Sequence, residues 1–222
     1  MSRSNYCDIV MLLEKIVIGK FGARPGFHEG HVIKSLLALS SEEAIGRKKL
    51  SKILGIGETS ARSLIKRLYE MGLVKVDKIA GAILTDKGNN VVKVFDELLK
   101  VIPLNRDILG FNWDNTVLIV IKDLPPKSTT VTIIRDKAIS VNAGAALILL
   151  YSNNKLVAPG VNVKDLHDKI VDVLQTYVSK YCSKECTLIY ASIRTGEPLE
   201  IAGLKLGYEI IRHFCIRREY CD

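Results

Sequence analysis

Apolar residues recur three to four positions apart through the first hundred residues and gather into short unbroken runs later on. Ile9, Leu12, Leu13, Ile16 and Val17 predict a helix over 6–20, broken by Gly19, Gly22, Pro25 and Gly26. Val32, Ile33, Leu36, Leu37 and Leu39 predict a second helix over 28–40. Two short helices follow within 47–71. Leu50, Ile53 and Leu54 give the first an apolar face, and Gly55-Ile56-Gly57 makes a tight turn. Ala61, Leu64, Ile65, Leu68 and Met71 then form a stripe of helical period on the second. Leu73-Val74-Lys75-Val76 is a short β run, residues 77–82 can turn at Gly81, and Ile83-Leu84 can return as a second strand. Thr85 is an N-cap candidate for a helix reaching residue 99, with Val91, Val92, Phe95 and Leu98 inward.

The period lapses over 101–113, where Pro103, Gly110 and Asn112 predict a linker. Beyond it, 116–122 reads as an apolar strand ended by Pro125-Pro126, and 128–141 as a helix burying Val131, Ile134, Ala138 and Ile139. Residues 145–151 form the continuous apolar run expected of a strand covered on both faces. Ser152-Asn153-Asn154 turns the chain back through 155–158. Leu166, Ile170, Leu174 and Val178 mark a helix over 165–181, followed by a strand over 187–193 and a final helix over 198–216. The expected fold class is α+β. An N-terminal winged helix-turn-helix domain (1–100, with an extra first helix) and a linker (101–113) precede a small α/β domain with a mixed sheet (114–222).

The run LGIGETSARSLIKRLYEMGLV, with the hairpin and the LTDKG that follow it, resembles the winged helix of archaeal and bacterial transcription regulators. One departure is Gly57, where such domains more often carry a Ser or Thr cap; glycine there costs only a few tenths of a kcal/mol. The second half contributes RDKAISVNAGAALIL, KLVAPG and IYASIRTGEPLEIAGLKLGYEI. With these the whole layout resembles a two-domain group of archaeal proteins whose C-terminal α/β domain has no assigned role. The resemblance implies DNA as partner and says nothing about chemistry.

Charge adds to this picture. The formal net charge is +8, and residues 1–100 carry 17 Lys and Arg against 11 acids, a net of +6. That excess sits in the half holding the two-helix motif, which fits attraction to a polyanion and fits solubility charge equally well. No stretch approaches the ~20 unbroken apolar residues of a membrane helix, and residues 9–18 contain Glu14 and Lys15 without a cleavage site after them. A soluble, cytoplasmic protein without a membrane partner is expected. Its five cysteines (Cys7, Cys182, Cys186, Cys215, Cys221) read first as free thiols, with a disulfide as the open alternative. The Cys182-x3-Cys186 pair, with His167 and His213 distant, is too small a set for zinc, so no metal is expected.

No G-x-G-x-x-G, P-loop, nucleophile elbow or His-Glu-x-x-His occurs, so neither an enzyme nor a cofactor is expected. Asp123, Arg135, Asp136, Arg194 and Glu197 are polar groups at the ends of elements, and Arg194-Thr195-Gly196-Glu197 precedes a helix whose N–H groups could hold an anion. The expected DNA-binding residues are Arg47, Lys48, Lys49 and Lys52 on the first helix of the motif, Thr59, Ser60, Arg62, Ser63, Lys66 and Arg67 on the second, and Lys75 and Lys78 on the short wing. The partners expected are double-stranded DNA, a second copy of the chain in a homodimer, and a small-molecule effector. Two other classes stay open: an adaptor docking protein through its winged helix, and an enzyme in the C-terminal half that the winged helix targets.

Overall fold

A computed structural model describes residues 3–18, 25–104, 107–124, 128–160, 168–182 and 184–217. Gly19, Gly22, Pro125, Pro126, Asp165, Leu166, His167 and Cys221 lie outside the described residues. The chain divides into two compact units with the boundary between Glu97 and Leu98.

In the first unit, α1 (Arg3–Val17) packs on α2 (Glu29–Ser41) and on α4 (Glu58–Glu70), and α3 (Arg47–Leu54) joins α2 to α4. The start of α2 is closed by a reciprocal cap: the His28 ring accepts from the Gly30 amide, and His31 Nδ1 accepts from the His28 amide. At its other end, α3 stops on Gly55, whose φ of 65° is the left-handed cap geometry glycine favours. The Ser51 hydroxyl then donates to the Ile56 carbonyl at 2.6 Å, and Gly57 leads into α4 in an extended conformation. Leu50, Leu54, Ala61, Leu64 and Leu68 are fully buried, so the stripe read from the sequence is the face that packs.

After α4 the chain forms an antiparallel hairpin of β1 (Val74–Asp77) and β2 (Gly81–Leu84). Its turn is held by Asp77, whose carboxylate accepts from the Ile79 and Ala80 amides at 2.7 Å each. Those bonds, from the Ala80 amide first and then the Ile79 amide, keep the Asp77 carboxyl below the usual carboxylate range. Ile45, just ahead of α3, exchanges both backbone hydrogen bonds with Ala82 and so adds a third short strand to the hairpin. A helix α5 (Asp86–Leu98) follows. Its first turn explains the Leu-Thr-x-x-Gly pattern: Thr85 Oγ1 accepts from the Gly88 amide and donates back toward the Gly72 and Leu73 carbonyls.

The second unit is a five-stranded sheet built from β3 (Leu99–Pro103), β4 (Thr116–Lys122), β5 (Ala143–Ser152), β6 (Lys155–Val157) and β7 (Cys186–Ile193), in the order β3-β4-β7-β5-β6. Helices α6 (Ser128–Ser140) and α8 (Leu199–Ile216) pack on one face. On the other face α7 (Asp168–Tyr181) and the segment 107–113 enclose Leu118, Val120, Leu149, Leu174, Leu188 and Tyr190. Alternate residues of β4 and β7 thus serve different layers, which is why both strands read as unbroken apolar runs. Gly203 and Gly207 let α8 settle against β3; a β-carbon at Gly203 would stand 2.6 Å from a Val101 methyl.

The sheet is antiparallel at every described pairing rather than mixed. The β4–α6–β5 crossover does leave β4 and β5 running the same way, but β7 inserts between them and opposes both. The supposed linker 101–113 is no linker either, because its start is edge strand β3 and its end is pinned to the sheet. Ile139, expected inward, is 71 % exposed, and Val141 closes that end of the core instead.

The pinning of 107–113 depends on a carboxylate. Asp107 accepts from Tyr190 Oη at 2.5 Å and from the Leu109 and Trp113 amides at 3.0 and 3.3 Å. Trp113 stacks on the Tyr190 ring with centroids 5.5 Å apart. Burial opposes ionisation of Asp107, yet the Tyr190 hydroxyl and the neighbouring amides together hold its carboxyl below the usual range. Burial first, and then the bond to Asp107, push the Tyr190 hydroxyl up to about 12. The signs fix two pH windows. Stability from ionised Asp107 is present above its unfolded value and lost as pH falls through the lower folded one. Stability from neutral Tyr190 is full below its unfolded value of about 10 and lost as pH rises toward about 12. Tyr190→Phe is expected to lower the unfolding free energy by about 1.5–3 kcal/mol at neutral pH. In an absorbance titration it should also remove one late-ionising phenol; unchanged stability together with an unchanged titration would refute the arrangement.

Among the described residues no cysteine is a free thiol, contrary to expectation. Cys182, just past α7, and Cys186, the first residue of β7, form a disulfide across the reversal of the chain, their Cα atoms 5.9 Å apart.

Candidate nucleic-acid interface

Helix α4 has two chemically distinct sides. Ala61, Leu64 and Leu68 are buried, whereas Thr59, Arg62, Ser63 and Lys66 are exposed. At 3.6 residues per turn these four lie within an arc of about 100°, opposite the buried stripe. The face is therefore presented outward by the same periodicity that anchors the helix. Ser63 Oγ donates to the Thr59 carbonyl at 3.0 Å, and Lys66 lies 3.8 Å from Glu70 one turn on. Both are weak, solvent-exposed contacts that a ligand could displace. Arg62 has no ion pair or hydrogen-bond partner among the described residues.

Beside it, α3 begins with Arg47, Lys48 and Lys49, and carries Lys52 one turn later, all exposed. No acid stands in its first turn. Three cations at the positive end of a helix dipole oppose the stability of that helix, by roughly 0.3–1 kcal/mol each at low salt, and an anion brought near them would relieve the strain. Glu42 meets Lys49 at 2.6 Å and Glu58 meets Arg47 at 3.7 Å, while Lys48 and Lys52 are unpaired among the described residues.

The remaining expected contacts separate. Lys75 and Lys78 are exposed on the hairpin, whose tip residue Ile79 is 99 % exposed. Ser60 is half-buried, and its hydroxyl faces Gly26, where a β-carbon would stand 2.7 Å away. Arg67 departs from the expected set: its guanidinium donates to the Ile16 and Val17 carbonyls at 2.7 and 3.0 Å and lies over the Phe27 ring. It satisfies the orphan carbonyls at the end of α1 and is taken up in tying α4 to that helix. Arg67→Met is expected to cost about 1–2 kcal/mol in a urea titration and leave DNA affinity of the folded protein unchanged. A loss of affinity without loss of stability would reverse the assignment.

In the second unit, Asp123, Arg135, Asp136, Arg194 and Glu197 do not converge. Asp123 follows β4 at the end of the sheet where Lys122 pairs with Cys186, whereas Arg194 follows β7 at the opposite end. Arg135 and Asp136 are exposed on α6. Thr195 Oγ1 accepts from the Glu197 amide at 3.0 Å, so part of the polar turn before α8 is satisfied internally. The sequence reading missed Ile45 as a support of the hairpin, and the Asp107–Tyr190–Trp113 cluster as a fixed feature. No helix among the described residues is long and apolar enough to cross a membrane.

Residues 32–90 match the family described as PH0730-like, N-terminal domain. No functionally curated protein is similar to the chain. Among solved structures, the hypothetical protein PH0730 from Pyrococcus horikoshii OT3 is similar over 86 % of this chain and 95 % of its own, at 23 % identity and a TM-score of 0.55. What the chain shares with that archaeal protein is a fold, and the family match lies within the first unit, from α2 to the start of α5.

Proposed function

We propose that the chain is a DNA-binding transcription regulator whose first unit is a winged helix-turn-helix, with α4 as the helix that enters the major groove. The observation that carries the proposal is the exposed face of Thr59, Arg62, Ser63 and Lys66 on a helix whose opposite side is locked into the core. Arg62 suits a guanine edge, where a bidentate contact contributes about 1–3 kcal/mol of discrimination. Thr59, Ser63 and Lys66 suit base or phosphate oxygens, and Lys48 and Lys52 suit the flanking backbone. Ile45 supports the reading by tying the helix pair to the hairpin, so that both would meet a duplex as one body. The hairpin, with Lys75 and Lys78, would lie along the sugar–phosphate edge.

One such helix spans only a few base pairs, and symmetric regulators pair two half-sites, so the acting species is proposed to be a homodimer. The second unit serves dimerisation, effector sensing, or both. Selection of bound fragments from a random duplex pool should enrich two short half-sites about one helical turn, roughly 34–36 Å, apart. Retention of no duplex even at low salt would end the reading.

The adaptor alternative draws on Tyr69, Val76 and Ile79, apolar side chains left exposed along α4 and the hairpin. The two readings differ in salt dependence. Phosphate contacts lower log K by about 0.9 per tenfold rise in salt for each contact, whereas apolar docking does not weaken.

A further inference from the structure

At one end of the second unit's sheet, the start of β4, the start of β5 and the end of β7 surround an open cavity of about 420 Å³. Trp113, Asp114, Asn115, Gly144, Ser192 and Arg194 are among its lining residues. Its size falls in the range of small-molecule sites, roughly 300–1,000 Å³. The local backbone builds it. A register shift between Ala143 and Ala145 lets Gly144 bulge out of the β5–β7 ladder. The Arg194 side chain lies across that glycine, with Nε 3.6 Å from where a β-carbon would stand.

The chemistry of the lining is specific. Arg194 and Asp114 bring one positive and one negative charge to the same cavity, and neither side chain is engaged among the described residues. The Asp114 backbone is fixed by a hydrogen bond from Ser192 Oγ at 2.6 Å. Asn115 adds an amide and Trp113 an indole held flat against Tyr190. A guanidinium fits a carboxylate, an aspartate fits an ammonium, and an indole fits an apolar group. A purely anionic ligand would leave Asp114 repelling it, and a purely cationic one would face Arg194.

We propose that this cavity binds a zwitterionic α-amino acid, its carboxylate on Arg194, its ammonium on Asp114 and its side chain against Trp113. The proposal deepens the effector-sensing role given to the second unit and rests on that reading for its regulatory meaning, though not for the binding itself.

Trp113 is the chain's single tryptophan, so its fluorescence reports on the cavity without labelling. The full-length protein is titrated with each of the common amino acids, and with the deaminated acid and the decarboxylated amine of any that bind. At least one amino acid should change the emission and raise the melting temperature, while both of its truncated analogues bind at least tenfold more weakly. Arg194→Gln should lower amino-acid affinity at least tenfold. Asp114→Asn should remove the preference for the amino acid over its deaminated acid. Gly144→Leu, whose side chain would fill the space beneath the guanidinium, should block binding, with circular dichroism checking that each variant is folded. Equal binding of the deaminated acid by the unaltered protein would overturn the zwitterion assignment, and silence of Trp113 toward every amino acid at millimolar concentration would overturn the site. Binding that leaves duplex affinity unchanged would sink the effector role alone.

Discussion

Replacing Arg62 and Lys66 together by alanine should lower affinity for a selected duplex by about a hundredfold or more while leaving the fold intact. Loss of a bidentate guanine contact removes about 1–3 kcal/mol, and each 1.4 kcal/mol is a factor of ten. Loss of one phosphate contact removes roughly another tenfold at moderate salt. Neither side chain supports the core, since both are exposed and, among the described residues, Lys66 makes only a single weak pair with Glu70. The single variants divide the effect. Arg62→Ala should relax preference at one base pair, whereas Lys48→Ala should weaken specific and random duplex alike and make the salt dependence shallower by about 0.9. Fluorescence anisotropy on selected and scrambled duplexes over a salt series separates the two roles; identical profiles for both variants would argue against the division.

The second large effect is structural. Gly81→Ala and Gly88→Ala are each expected to destabilise the first unit by about 3 kcal/mol or more, seen as an early unfolding transition in far-ultraviolet circular dichroism. At Gly81 two costs coincide. Its φ is 106°, which L-residues rarely adopt, and a β-carbon would stand 2.6 Å from the Ile45 carbonyl oxygen. At Gly88 the obstacle is the Leu73 carbonyl oxygen at 2.1 Å, backbone that cannot rotate aside. Both changes would loosen the hairpin from its neighbours, Gly81 at Ile45 and Gly88 at the base of α5. Gly57→Ser is the control, because a β-carbon there meets nothing within 4 Å and the serine can cap α4. It should be neutral or stabilising by a few tenths of a kcal/mol. Wild-type stability in Gly88→Ala would contradict the close approach of the first turn of α5 to the Leu73 carbonyl.

What could be read from the chain beforehand follows from which interactions have a period. The stripe of Ala61, Leu64 and Leu68 and the apolar runs of β4, β5 and β7 are repetitive, so their residues point to the right elements. Sheet neighbours have no such signature. The chain order β4, α6, β5 suggests adjacent parallel strands, and nothing in the β7 sequence says that it lies between them. The segment from Asp107 to Trp113 is held by one carboxylate and a stacked ring pair, which leaves no period to detect, so its glycine and asparagine suggest a linker. Arg67 illustrates the same limit on the candidate interface. It shares a helix and a charge with Arg62, and only the approach of the α1 carbonyls distinguishes their roles. The cavity beside Arg194 arises from a bulge and three strand ends distant in sequence, which motif spacing does not encode.

The proposed DNA-binding surface is tested most directly by backbone-amide chemical shifts of the isotope-labelled full-length protein during titration with a selected duplex. The regulator reading predicts the largest changes at Thr59, Arg62, Ser63 and Lys66, with smaller ones at Lys48, Lys52 and the hairpin. Shifts confined to other surfaces, with α4 unmoved at saturation, would contradict it.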